Sequence, residues 1–238
     1  MKIALCLHGL FNSTTDNTSL GIDGYEYIKK HILSKGDVDV FVHSWEEDKS
    51  DIITNLYNPK ASLFEHQKDF KDIINKNQLN NLVAQSRSPQ TVLSHFYSIQ
   101  KSFELLDSIG ENYDIVIKSR FDLGRINRIS SKGHPTPGQF INFQTDIVND
   151  KLYQAFWLYF DQGPSDAWFY GSQEIMKPFS TIYDELEKNM ILNSEYHKFS
   201  QSITGLHGDM SNAVIFYKWW MLNNGMWENN IALPTKWE

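Results

Sequence analysis

Ile3-Ala4-Leu5-Cys6-Leu7 runs into His8-Gly9-Leu10-Phe11, and further on Val38-Asp39-Val40-Phe41-Val42 runs into His43-Ser44-Trp45. Each is a short apolar run that opens onto polar residues or glycine, the pattern of a buried strand ending in a loop at a sheet's carboxyl edge. Between them Tyr25, Ile28 and Ile32 share one face of a helix over Tyr25 to Leu33, and Gly36 closes it. Strand, helix and strand make a βαβ unit with a right-handed crossover. The expected class is therefore α/β, with a mostly parallel central sheet flanked by helices.

Outward from this unit, Glu46 to Ser88 is polar, with scattered anchors at Tyr57, Leu63, Phe64 and Phe70, and reads as short helices and loops. Pro89 opens a long amphipathic helix carrying Val92, Phe96, Ile99, Phe103 and Leu106, and Gly110 stops it. Tyr113-Asp114-Ile115-Val116-Ile117-Lys118-Ser119-Arg120-Phe121-Asp122 follows as a further buried strand, apolar early and charged at its tip. Gly124 to Gly138, with Pro135 and Pro137, reads as a loop. Short strands are expected at Gln139–Phe143 and Ala155–Phe160. Ser165 to Ser172 leads into a helix from about Gln173 with Phe179, Ile182, Tyr183 and Leu186 on its buried face, and a last helix covers Asp209 to Asn224. No linker or repeat divides the 238 residues, so one domain is expected, with a first half to Asp122 and a second from residue 123.

Composition narrows the function. The net charge is −7 and no Lys/Arg stripe matches a phosphate backbone, which argues against nucleic acid. The first apolar run is too short for a signal-peptide core and no run reaches the ~20 residues of a membrane span, so a cytoplasmic location is the expectation. The sequons at Asn12 and Asn17 are then unused, and the single cysteine, Cys6, reads as a buried small hydrophobe. Aromatic residues at 14%, with 7 Trp, exceed what a minimal core requires and suit stacking on flat or sugar-like ligands, core packing being the plainer account of any single ring.

The tip of the charged strand delivers its groups from a rigid base. Asp122 suits a hard cation, Mn²⁺ or Mg²⁺, that bridges a diphosphate, and Arg120 suits the phosphates themselves through its planar fork. The alternative is a plain Arg–Asp surface pair. The run Tyr113 to Asp122 resembles the strand of small viral and bacterial glycosyltransferases of the GT-A fold, whose acidic metal motif follows a strand of roughly this pattern. Leu56-Tyr57-Asn58-Pro59-Lys60, Glu65 and the stretch Ser94 to Lys101 resemble the family's segments before that strand. Ser165-Asp166-Ala167-Trp168-Phe169-Tyr170-Gly171-Ser172 resembles its acidic-aromatic-glycine turn on the acceptor side.

The resemblance implies a GT-A-like sandwich and a hexosyl- or deoxyhexosyltransferase. The donor would be a UDP- or GDP-sugar and the acceptor a glycan or other hydroxyl. It places His8, Gly9 and Leu10 at the base or ribose and His43, Ser44 and Trp45 on the opposite wall. Ser94 and Lys101, about two turns apart on the long helix, are candidates to point at the phosphates, Lys101 reading more plainly as a solvated charge. Asp166 is the base on the acceptor if configuration is inverted, its pKa raised by the surrounding rings, and orients the acceptor if it is retained, the plainer reading of Asp166 being a helix N-cap. The family's motif is Asp-x-Asp, whereas this chain has Arg120-Phe121-Asp122. A divalent ion then needs a second ligand, for which His207, between Gly205 and Asp209, is the late histidine available.

Two other classes remain open. Leu7-His8-Gly9-Leu10-Phe11 imitates the oxyanion turn of α/β-hydrolases, but no Gly-x-Ser-x-Gly supplies the nucleophile. A non-catalytic carbohydrate-binding protein would use the aromatics without Asp122, a metal or a nucleotide.

Overall fold

The computed structural model describes residues 1–12, 20–81, 85–124, 140–156, 161–205 and 207–234. In chain order its elements are β1 (Lys2–Gly9), α1 (Leu20–His31), β2 (Asp37–Ser44), α2 (Ser50–Tyr57), β3 (Ala61–Phe64), α3 (Lys71–Lys76), α4 (Pro89–Ile109) and β4 (Ile115–Arg120). They continue with β5 (Leu152–Ala155), β6 (Trp168–Gly171), α5 (Gln173–Met176), α6 (Ile182–Asn189), α7 (Glu195–Thr204), α8 (Ala213–Asn223) and β7 (Asn230–Leu233). One seven-stranded sheet runs through both halves in the order β3-β2-β1-β4-β6-β5-β7. β6 alone runs against the others. This is a Rossmann-type α/β sandwich, and the strand order reverses direction between β1 and β4.

Alternation along β1 sets the layers. Ile3, Leu5 and Leu7 pack with Val40, Val42, Ile115 and Ile117 beneath Ile28 of α1 and Ile32 just after it. Ala4 and Cys6 face the other way with Phe41 and Val116, against Val92, Phe96, Ile99 and Phe103 of α4. α4 is held at both ends: the Ser88 hydroxyl accepts from the Thr91 amide at 3.1 Å, Pro89 fills the first turn, and Gly110 takes the left-handed conformation at φ 67°. Because side chains alternate with period two, the next residues on the α4 face are His8 on β1, His43 on β2, and Lys118 and Arg120 on β4. All reach the carboxyl edge together, with His8 in register with His43 on one side and Arg120 on the other.

Several elements differ from the sequence reading. The acidic-aromatic stretch is a strand in its second half: Trp168–Gly171 forms β6, wholly buried and paired with β4. Asp166 is accordingly no helix cap; Ser172 caps α5, and Asn212 caps α8, which starts later than Asp209. β3, α7 and β7 were hidden in polar or mixed stretches. β5 comes before the expected strand, whose residues 157–160 lie outside the described residues. Residues 140–143 form no strand, and most of the expected loop from Gly124 to Gly138, like Asn17, also lies outside them.

Candidate active site

The carboxyl edge at the β1/β4 reversal is where an open α/β sheet has its crevice, because the loops on either side leave in opposite directions. β6 adds to it. Its antiparallel register sets Ser119 against Trp168 and Lys118 against Phe169, so the residues just before β6 arrive beside the end of β4. Asp166 thus comes to Arg120, with Oδ1 3.7 Å from Nη1. Arg120 also grips Asp122 in the turn after β4: Nε donates to Oδ1 at 2.8 Å and Nη2 to Oδ2 at 2.5 Å. Arg120 and Asp166 remain partly open, with side chains 29% and 37% exposed.

Beneath them lies a buried floor. Lys118 is wholly inaccessible, its ammonium donating to the Asp166 carbonyl and lying over the rings of Phe169 and Tyr217 at 5.3 and 5.6 Å. His8 is buried with neither ring nitrogen hydrogen-bonded, packed edge-on to His95 of α4 at 5.2 Å. The His95 Nε2 meets the Tyr217 hydroxyl of α8 at 3.2 Å. A lysine in the middle of a buried strand is expensive to fold, and an unpaired buried imidazole adds to the expense. Such groups gathered at a sheet edge make this cluster the candidate functional site.

The charges follow from this packing. Burial pulls Lys118 down to about 7, aided by Arg120 and opposed by Asp166 and Asp122. Burial first, then Lys118, pushes His95 to about 3, and burial with Lys118 pushes His8 well below the usual histidine range. Asp166 does not follow the sequence expectation of a raised pKa. Burial pushes it up, but Arg120, His95 and Lys118 together outweigh this and hold it below the ordinary carboxylate value. The cations come from β4, next to the rings that the sequence reading weighed alone.

On the far side of β1, His43 belongs to a supporting network. Its Nε2 donates to Glu65 Oε1 at 2.9 Å, leaving Nδ1 to accept from the Ser98 hydroxyl at 2.6 Å. Ser98 accepts in turn from the Gly9 amide at 2.8 Å. Trp45 is buried and stacks on Tyr97 at 5.3 Å, and its amide reaches the Gly9 carbonyl at 3.3 Å. The Ser44 hydroxyl accepts from the Glu46 amide at 3.2 Å. Glu46 accepts from the Phe11 and Asn12 amides and so fixes the chain after β1. Gly9, at φ 96°, permits that turn, and Leu10 beside it is exposed.

Of the sequence candidates, His8, Arg120, Asp122 and Asp166 meet in one cluster, with Gly9, Leu10, His43, Ser44 and Trp45 next to it. His43 and Trp45 are committed to the network rather than presented as an open wall. Ser94 is buried, its hydroxyl donating to the Gln90 carbonyl and accepting from Gln67, both at 2.7 Å. Lys101 is paired with Glu104 at 2.5 Å. His207 is exposed on the α7–α8 connection, its carbonyl 3.4 Å from His197 Nε2. Asp122 and His207 do not fit a resident divalent ion, since both Asp122 oxygens are bound by one guanidinium. Among the described residues no group of three His, Cys, Asp or Glu is placed to hold a metal. Lys118, His95 and Tyr217 were missed. The signal for Lys118 was its spacing two residues before Arg120 in an apolar run, which puts both on one face. A cleft of about 430 Å³ beside Tyr27, Lys30 and Phe140 and a wider one around Asp114 include none of this cluster.

The fold and edge define a Rossmann-like α/β protein with a charged cluster at its switch point. No family model and no curated protein matches the chain. Among solved structures, mouse xyloside xylosyltransferase 1 in its apo form aligns with a TM-score of 0.43 and 10% identity, over 98% of this chain and 85% of that one.

Proposed function

We propose that this protein is a glycosyltransferase that moves a sugar from a nucleotide-diphosphate-sugar to a hydroxyl acceptor. The observation that carries the reading is the meeting of Arg120, Asp166 and buried Lys118 at the β1/β4 switch point. Arg120 offers its outer N–H groups to the diphosphate, where a planar fork suits phosphate oxygens. The exposed turn at Gly9 and Leu10 lies where the base or ribose reaches the protein. Asp166 takes the proton of the acceptor hydroxyl as its oxygen attacks the anomeric carbon, and the bond to the diphosphate breaks with its electron pair on the leaving phosphate oxygen. When Arg120 engages the diphosphate its hold on Asp166 weakens, which restores basicity at the moment of transfer. Lys118 fixes the Asp166 backbone from below.

Two observations disfavour the other classes. Trp45, Trp168 and Trp220 are buried, and Trp219 and Trp227 are packed against the core, so these five are committed to the interior rather than to an open carbohydrate platform. No Gly-x-Ser-x-Gly occurs in the sequence, so the hydrolase reading lacks its nucleophile elbow. Nucleotide release from UDP-, GDP-, dTDP- and CMP-sugars, with and without simple glycoside acceptors, tests the proposal. Asp166→Asn should lower turnover by ~10²–10⁴-fold while the melting temperature stays within a few degrees. Unchanged turnover in this variant removes Asp166 from the chemistry.

A further inference from the structure

The placement of Asp122 carries a consequence for the donor site that rests on the transferase reading. A carboxylate that serves a divalent ion must present at least one oxygen to it, and the ion must outcompete whatever already holds that oxygen. Both oxygens of Asp122 are taken side-on by Arg120, at 2.8 and 2.5 Å, a charge-assisted bidentate pair of the strong kind. An ion on those oxygens would lie against the guanidinium, with Lys118 buried on the same strand face, so that cation would meet cation.

The existing charges already suit an anionic ligand. Arg120 is held between Asp122 and Asp166, with Nη1 turned to the latter at the loose distance of 3.7 Å. The edge bonded to Asp122 is fixed and the Nη1 edge is available. The pair therefore holds a pre-set, partly exposed guanidinium at the sheet edge.

We infer that the diphosphate is bound by side-chain cations without a divalent ion, Arg120 making the contact and Asp122 acting as the residue that positions it. Calorimetric titration of UDP and GDP, in EDTA and again in Mn²⁺, tests this on the folded wild-type chain. The nucleotide that binds should do so with a dissociation constant that differs by less than ~10-fold between the two conditions, under about 1.4 kcal/mol. Asp122→Asn should leave that ratio unchanged, and Arg120→Gln should weaken binding ~10–100-fold in both buffers, the scale of a lost charged hydrogen-bond pair. The double variant Arg120→Gln/Asp122→Asn, neutral and nearly isosteric, guards against misfolding from an unpaired carboxylate and should show the same loss. Tightening of more than tenfold by Mn²⁺ that Asp122→Asn erases overturns the inference, as does undiminished binding in both Arg120 variants. Binding of neither nucleotide in either buffer, with no release or stabilisation from dTDP- or CMP-sugars either, would instead bring down the transferase reading, and this inference with it.

Discussion

At the residue scale, the groups that look most wasteful are the informative ones. Lys118 contributes nothing to folding that an apolar side chain of its length would not, since burying an ammonium offsets what its contact with the Asp166 carbonyl returns. Lys118→Met should therefore leave the melting temperature within a few degrees of wild type or raise it, while turnover falls at least ~10-fold through a displaced Asp166. A large loss of stability with turnover per folded molecule intact would make Lys118 a plain structural residue. The two imidazoles predict a pH dependence. His8 and His95 are held neutral by burial and by Lys118, His95 at about 3, with Arg120, Asp166, His43 and Tyr217 as their other charged or titratable neighbours. The unfolded chain binds protons on both near pH 6.5, so the unfolded state gains protons first and stability falls as pH drops below that value. Each histidine adds a slope of up to about 1.4 kcal/mol per pH unit. Asp166, whose pKa is depressed, adds a loss only below the ordinary carboxylate range, and Lys118 makes stability rise with pH between about 7 and its unfolded value. Denaturation series at pH 7 and 5.5 should show His8→Leu losing less stability than wild type across that interval.

Elements show how far local pattern reaches. The first βαβ unit, the long helix with its Ser88 cap and Gly110 stop, and the strand ending at Arg120 were legible, because each has strong periodicity and clear terminators. β3 and β7 were not: each has four residues, lies at a sheet edge and shows no buried alternation. β6 was read as a turn because three aromatics and a glycine in a row carry no period. The site was legible where a strand delivered it, at His8, Arg120 and Asp122. Its other half was not, since His95 on a helix and Tyr217 on the last helix reach it only through tertiary packing. Close approach between elements also escapes a sequence reading. Gly24 of α1 sits so near the turn after β4 that a Cβ there would lie 1.8 Å from the Phe121 carbonyl oxygen. Gly24→Ala gains about 1 kcal/mol of helix propensity, yet the overlap forces α1 from the sheet at a cost of ~1–3 kcal/mol or more. The variant should melt lower than wild type; a higher melting temperature would mean that α1 and the Asp122 turn are not in contact.

For the whole molecule, sheet order and site form one argument: the strand order reverses between β1 and β4, and the reversed strand β6 brings Asp166 to Arg120 at that edge. No helix among the described residues is long and apolar enough to cross a membrane. A ligand that binds at this edge in the native state alone must raise the melting temperature by mass action, about 2.7 kcal/mol at a hundredfold excess over its dissociation constant. The most direct measurement is a thermal-shift titration with UDP-, GDP-, dTDP- and CMP-sugars and with free oligosaccharides, on wild type and Arg120→Gln. Stabilisation by one of the UDP-, GDP- or dTDP-sugars, lost in Arg120→Gln, is the result expected. Stabilisation by oligosaccharides alone, unaffected by the substitution, would contradict the account and place the protein among the carbohydrate binders.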